Sequence, residues 1–210
     1  MSASRTSEFF HSYAHDFNSI YGNDNTLFNR FINRNFRVSM RLRYEKSIEG
    51  CSPIVGKTVL DIGCGPGHYS VALAKKGAAH VFGIDFADEM IAIAKENARA
   101  AGVEGSCGFA RQDFFADSSS QKYDYTIAMG FMDYMSDPQK TIEKVLAATR
   151  GKAFFSFPAD GGILAWQRKL RYRSRCPLYM YTLPQLRQLF SGVNANIEPI
   201  ARDYFVTVTM

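Results

Sequence analysis

Thr58-Val-Leu-Asp-Ile-Gly-Cys-Gly-Pro-Gly-His68 is the stretch whose reading decides the architecture. A short, mostly apolar run enters a turn with glycine at 63, 65 and 67, and a helical periodicity begins near Tyr69. Apolar runs of this kind are strands covered on both faces. A strand that ends in a glycine turn opening a helix puts backbone N–H groups at the carboxyl end of a sheet, with little side-chain bulk over them. An adenosine-sized ligand is what such a turn implies. Asp85 closes the next apolar run, where an acid can take both hydroxyls of a ribose.

Outward from this stretch, short apolar runs alternate with helical segments. The runs are 58–62, 80–85, 107–113, 123–129 and 152–157; the helices lie near 69–76, 88–101 and 138–149. Gly77, Gly102 and Gly151 stand where left-handed caps would close those helices. Five strand–helix units in sequence predict an α/β fold with a parallel sheet. A helix near 183–190 and two short strands, 197–201 and 204–209, add a hairpin at the sheet edge. The expectation is a Rossmann-like, doubly wound, seven-stranded sheet, mostly parallel, with an antiparallel edge hairpin. Residues 1–50 form a helical arm and 159–181 a basic insertion.

The chain has 210 residues, 46% of them hydrophobic and 21% charged, so one domain over 1–210 with a full core is expected and disorder is excluded. A net charge of +5 suits an acidic ligand but is too mild to imply DNA. Cys51, Cys64, Cys107 and Cys176 show neither zinc nor disulfide spacing, which reads as free thiols in a reducing compartment. No apolar leader or membrane-length run occurs, and the expected location is cytoplasmic.

A glycine turn followed by an acid fits dinucleotide oxidoreductases as well as methyltransferases, and spacing separates the two. His68 occupies the position where a G-x-G-x-x-G/A fingerprint needs a small residue, and the glycines form G-x-G-x-G instead. No G-x-x-x-x-G-K-[ST] phosphate loop is present. Four elements recur in order: Asp61-Ile-Gly-Cys-Gly-Pro-Gly67, Gly83-Ile-Asp85-Phe86 with Met90, Gln112-Asp113-Phe114, and Asp124-Tyr-Thr-Ile-Ala-Met-Gly130-Phe131. Between Lys57 and Phe157 the chain resembles the class I S-adenosylmethionine-dependent methyltransferases.

The resemblance implies S-adenosylmethionine as cofactor and assigns roles. Gly63, Cys64, Gly65 and Gly67 would wrap its methionine part, with Asp61 fixing the turn and reaching the amino group. Asp85 would hold the ribose, and Phe86 and Met90 would pack on the adenine. Gln112 and Asp113 would border the adenine, with Asp113 accepting from its amino group and the Phe114 N–H serving a ring nitrogen. The Met129 carbonyl and the Phe131 ring would lie near the sulfonium. Met129-Gly-Phe-Met-Asp-Tyr134 lacks the Asn/Asp-Pro-Pro-Tyr/Phe run of enzymes that methylate exocyclic amines. It looks more like the small-molecule group, which includes enzymes acting on quinone precursors, porphyrins, sugars and natural products.

Methyl transfer requires positioning and water exclusion, and a base where the acceptor must lose a proton. His11, Tyr13, His15, Tyr21, Asp133 and Tyr134 are the candidates, Asp133 and Tyr134 following the fourth strand at the mouth of the site, with His15 or Asp133 favoured as base. His11 and His15 lack the partners of a metal site, and none is expected. Arg30, Arg34, Arg37 and Arg41 share a helical face, and 167–175 adds five cations. These suit an acidic acceptor, an anionic membrane surface, RNA or plain solvation. RNA is disfavoured by the absence of a recognisable RNA-binding module. The leading expectation is O-methylation of a small, acidic acceptor, ahead of N- or C-methylation. The alternative is a cofactor-binding subunit without catalysis. Oligomeric state is not legible.

Overall fold

The structure, a computed structural model, describes residues 27–116, 120–162, 165 and 177–210, with 27–37 given by their backbone course alone. The expectations placed on His15, on Tyr21 and on most of the 159–181 insertion fall outside the described residues.

In chain order the elements are α1 (Leu27–Gly50), β1 (Thr58–Ile62), α2 (His68–Lys75), β2 (His80–Asp85), α3 (Asp88–Ala100), β3 (Cys107–Arg111), β4 (Tyr123–Ala128), α4 (Pro138–Ala147), β5 (Thr149–Pro158), α5 (Leu183–Leu189), β6 (Ala195–Ile200) and β7 (Asp203–Thr209). They build one seven-stranded sheet in the order β3-β2-β1-β4-β5-β7-β6. The first five strands run parallel, and β7 pairs antiparallel with both β5 and β6. This is the predicted doubly wound sheet with its edge hairpin.

Strand alternation distributes the core over both faces. Leu60, Phe155 and Val206 join Val145 of α4 and Leu186 of α5 on one side. Val59, Phe154 and Phe205 join Ile48 of α1 and Leu73 of α2 on the other. The adjacent rings Phe154 and Phe155 therefore serve opposite layers, at 1% and 0% exposure. A third cluster packs Ile91 and Ala94 of α3 on Phe109 of β3.

Two expectations need correction. The third crossover helix ends at Ala147 and β5 begins at Thr149, whose hydroxyl donates to the Val145 carbonyl at 2.7 Å and so caps the helix. Gly151 is thus a strand residue, not a cap: a Cβ there would stand 2.7 Å from the Asp124 carbonyl oxygen of the neighbouring strand. Second, the strand–helix units number fewer than five among the described residues. The β3–β4 connection carries no helix among the described residues, and β3 stops at Arg111, where the Gln112 N–H turns to the Asp85 carbonyl at 2.8 Å.

The arm helix α1 meets the β6–β7 hairpin along a polar seam. The Ser39 hydroxyl accepts the Arg202 N–H at 3.3 Å, Arg43 pairs with Asp203 at 2.6 Å, and Lys46 pairs with Glu198 at 2.7 Å. Asp203 lies opposite Pro158 at the carboxyl end of β5, so Ser39 sits level with the carboxyl edge of the sheet. Gly50, at the other end of α1, lies over the Phe154 ring. The turns that precede Ser39 consequently stand beyond that edge, by roughly 18 Å at 1.5 Å per residue.

Candidate active site

The strand order reverses between β1 and β4, and a doubly wound sheet opens its ligand crevice at the carboxyl ends of strands flanking such a reversal. A crevice of about 680 Å³ lies here. Gly63 follows β1, Asp85 ends β2 and Phe86 follows it, Gln112, Asp113 and Phe114 follow β3, and Phe131 follows β4; all of them line it. These are seven of the residues the motifs single out, gathered from four strand ends.

The glycine turn explains its own composition. Gly63, Gly65 and Gly67 all take positive φ, at 68°, 51° and 78°, a region that favours glycine. A Cβ at Gly67 would meet Ala94 and Phe109 at 3.0 and 3.1 Å, whereas one at Gly65 would meet nothing within 4 Å. Gly67 is required by packing against α3 and β3, and Gly65 keeps open the space above the turn. The turn is held further by Asn97 of α3, which donates to the Pro66 carbonyl at 2.9 Å.

The expectation that the turn's N–H groups face a ligand is not met. The Gly63 and Cys64 amides donate to the Ile84 carbonyl at 2.9 and 3.0 Å, Gly67 donates to the Cys64 carbonyl, and Gly65 donates to the Asp85 carboxylate at 2.9 Å. Asp85 also accepts from Ala87 at 3.0 Å and from the Phe86 amide. Burial pushes its pKa up, and these amides resist the shift. Of about four acceptor positions on a carboxylate, three are engaged. Asp85 therefore fixes the turn while lining the crevice.

Asp61 lies beneath the turn at 1% exposure, accepting the Ser70 hydroxyl at 2.7 Å. Burial raises its pKa to about 6; the Ser70 contact opposes this and the charge of Asp85 adds to it. Cys64 turns its side chain into the cluster of Ile91, Ala94 and Phe109, and burial pushes its thiol up. Its thiol also donates to the Gly65 carbonyl of the turn at 3.7 Å. Met90 is buried at 5% exposure and Met129 packs into the α1-side core; neither lines the crevice.

Aromatic rings form the crevice wall. Phe114 meets Phe131 edge to face, with centroids 6.2 Å apart. Lys144 sits 5.2 Å over the Phe114 ring while donating to the Phe115 carbonyl. Asp113 accepts the Phe115 N–H at 2.9 Å in a local turn and stays exposed at the rim. Beyond Phe131 the crevice continues along Tyr134, Asp137 and Lys140.

Asp133 departs from its expected place at the mouth. It is 3% exposed, its carbonyl accepts the Tyr179 N–H, and its charge acts on Arg43 and Tyr181. The residue after it, Tyr134, is the one that lines the crevice. Arg43 itself has no counterpart among the sequence candidates. Its terminal nitrogen lies 3.6 Å from where Gly130, just past β4, would carry a Cβ. The arginine also interacts with Tyr69 in the first turn of α2. Burial works against its charge, but Asp203 and then Asp133 outweigh that and raise its pKa. Its Nε–H is buried without a hydrogen-bond partner among the described residues. No spacing signal marks Arg43, because its partner lies on the last strand.

Among the described residues no group of three or more His, Cys, Asp or Glu could hold a metal ion, and no helix is long and apolar enough to cross a membrane.

Sheet order, crevice position and glycine turn together define a doubly wound α/β protein that receives a nucleoside-type ligand at its switch point. The chain belongs to the methyltransferase-domain family, whose model matches residues 55–168. Its fold is that of the class I S-adenosylmethionine-dependent methyltransferases. The ubiquinone biosynthesis O-methyltransferase of Coxiella burnetii is 36% identical over 120 residues, 56% of this chain and 49% of that protein. Its counterpart in Neisseria meningitidis is 33% identical over 122 residues, with the same coverage. This chain spans about half the length of the curated relatives it matches. Magnesium protoporphyrin IX methyltransferase from Synechocystis PCC 6803, crystallised with S-adenosylhomocysteine, superposes with a TM-score of 0.78 at 19% identity, covering 99% of both chains. A DhpI complex with the same ligand gives 0.68 at 16% identity, covering 98% of this chain and 95% of that one. At such identities these structures speak for the fold.

Proposed function

We propose that the protein transfers the methyl group of S-adenosylmethionine to an oxygen of a small acceptor that carries a ring or chain and an acidic group. The observation that carries this reading is the match between the switch-point crevice and the parts of that cofactor. Phe114 and Phe131 offer faces and edges to a flat base. Asp85 retains an acceptor position for a ribose hydroxyl, and the open space over Gly65 admits the chain that leads to the sulfur. Asp61 beneath the turn suits an ammonium, and the orphan donor of Arg43 suits a carboxylate.

The cofactor supplies a methyl group on a positively charged sulfur, already activated for displacement. What remains for the protein is to hold the acceptor oxygen in line and to keep water away. Lys140, at the far end of the crevice, supports an acidic acceptor. The relatives' names favour oxygen as the methylated atom. An acceptor hydroxyl must also give up its proton. We assign that role to His15 or Tyr21 of the segment preceding α1, ahead of Asp133, whose carboxylate is buried in the field of Arg43.

The test is incubation of the full chain with methyl-labelled S-adenosylmethionine and paired phenols, with and without a carboxylate. Label should appear as a methyl ether, faster on the carboxylate-bearing member of each pair. Label on nitrogen or carbon, or cofactor binding with no transfer to any acceptor, would sink the proposal.

A further inference from the structure

The α1–hairpin seam contains an ion pair that packing alone does not explain. Ser39, Arg43 and Lys46 recur at i, i+4 and i+7, and all three reach the β6–β7 hairpin. The outer contacts are ordinary, with Lys46 and Glu198 at 32% and 40% side-chain exposure. The central pair is not: Arg43 and Asp203 are 8% and 1% exposed. A buried ion pair is commonly no more stabilising than apolar side chains of the same volume. The turn that presents Asp203 is itself unusual, since Ala201 takes a φ of 50° without being glycine. Arg43 keeps its Nε–H unpartnered among the described residues and lies beside Gly130, at the reversal of strand order.

We propose that Asp203 is a positioning residue: it orients the Arg43 guanidinium at the β1/β4 mouth so that its remaining donors receive the carboxylate of the cofactor's amino-acid end. The inference rests on the proposed function. Asp203 engages one face of a planar fork whose five donors are rigidly arranged. Fixing that face fixes the direction of the others. The hairpin, at the far end of the chain, thereby sets affinity for one end of the cofactor only.

Titration calorimetry on the full chain tests this with two probes, S-adenosylhomocysteine and 5′-methylthioadenosine, which lacks the amino-acid end. Asp203→Asn should weaken S-adenosylhomocysteine by roughly tenfold to a hundredfold, while methylthioadenosine changes less than about twofold. Arg43→Ala should show the same selectivity, and adding Asp203→Asn to it should cost nothing further. Should Asp203→Asn fail to fold by circular dichroism, Asp203→Glu keeps the charge but displaces the fork, and a selective loss is expected there too. Equal weakening of both probes, or additive losses in the double variant, would overturn the inference. Binding of neither probe by the folded wild type would instead remove the proposed function, and this inference with it.

Discussion

The glycine turn and the α1–hairpin seam lie at the same carboxyl edge of the sheet and are built in opposite ways. The turn is made of neighbours: residues 61–70 are held by 84–87 of the next strand, through backbone amides and one carboxylate. The seam joins Arg43 to Asp203 across most of the chain by charge, in surroundings that penalise charge. Local geometry gives the turn rigidity without buried unpaired cations. The seam gains a directed cation at the cost of desolvating it.

Breaking the seam on one side should have the largest effect. Arg43→Met takes the cation away from the buried Asp203 carboxylate, at a cost of about 3–5 kcal/mol in urea unfolding. Combined with Asp203→Leu, much of that stability should return while S-adenosylhomocysteine affinity does not. Stability that stays low in the double variant would mean that the pair is structural.

Within the turn, the comparison sharpens between two glycines. Gly67→Val forces branched bulk onto Ala94 and Phe109 at positive φ, and should cost about 3 kcal/mol. Gly65→Ala meets nothing and should cost only about 1 kcal/mol, yet it should impair cofactor binding by filling the open space. Equal stability losses, or unimpaired binding in Gly65→Ala, would contradict the division of roles.

Asp61 adds a pH dependence with a definite sign. Its folded pKa is about 6 against an ordinary 3.8, so the folded protein holds that proton more tightly than the unfolded chain. Stability from this group therefore falls as pH rises from about 4 to about 6, by roughly 2–3 kcal/mol in all. Asp61→Asn should be more stable than wild type at pH 8 and flatter across that window, while binding the cofactor less well. Urea titrations at several pH values check the slope. The smallest effect belongs to Arg41, two residues from Arg43 on the opposite face. It is 69% exposed and paired with Glu45 at 3.6 Å, and Arg41→Ala should move stability by less than about 0.5 kcal/mol.

That last contrast shows what the sequence makes legible. The strands follow from runs and spacings, and seven of the crevice-lining residues from the motifs that carry the family resemblance, because each depends on nearby chain. Asp137-Pro138 announces α4, and the Asp137 side chain accepts the Lys140 N–H at 3.0 Å, as a cap should. The arginine periodicity, by contrast, selects Arg41, while the buried cation is Arg43. A helical face can be read from spacing, but a partner on the last strand cannot. Asp133 is misplaced for a related reason: its neighbour Tyr134 faces the crevice, and a single residue's rotation in a 3₁₀ turn decides which of them does. Gly151 looks like a cap because a close approach to a neighbouring strand leaves the same residue in the sequence as a helix stop.

The most direct measurement is calorimetric titration of S-adenosylhomocysteine into the wild-type chain, with folding verified on the same sample. The account predicts saturable one-to-one binding that weakens sharply in Asp85→Ala, where the hold on the Gly65 amide and the ribose contact are both lost. A folded chain that takes up no S-adenosylhomocysteine, or binds it equally well without the Asp85 carboxylate, would contradict the assignment of the crevice to this cofactor.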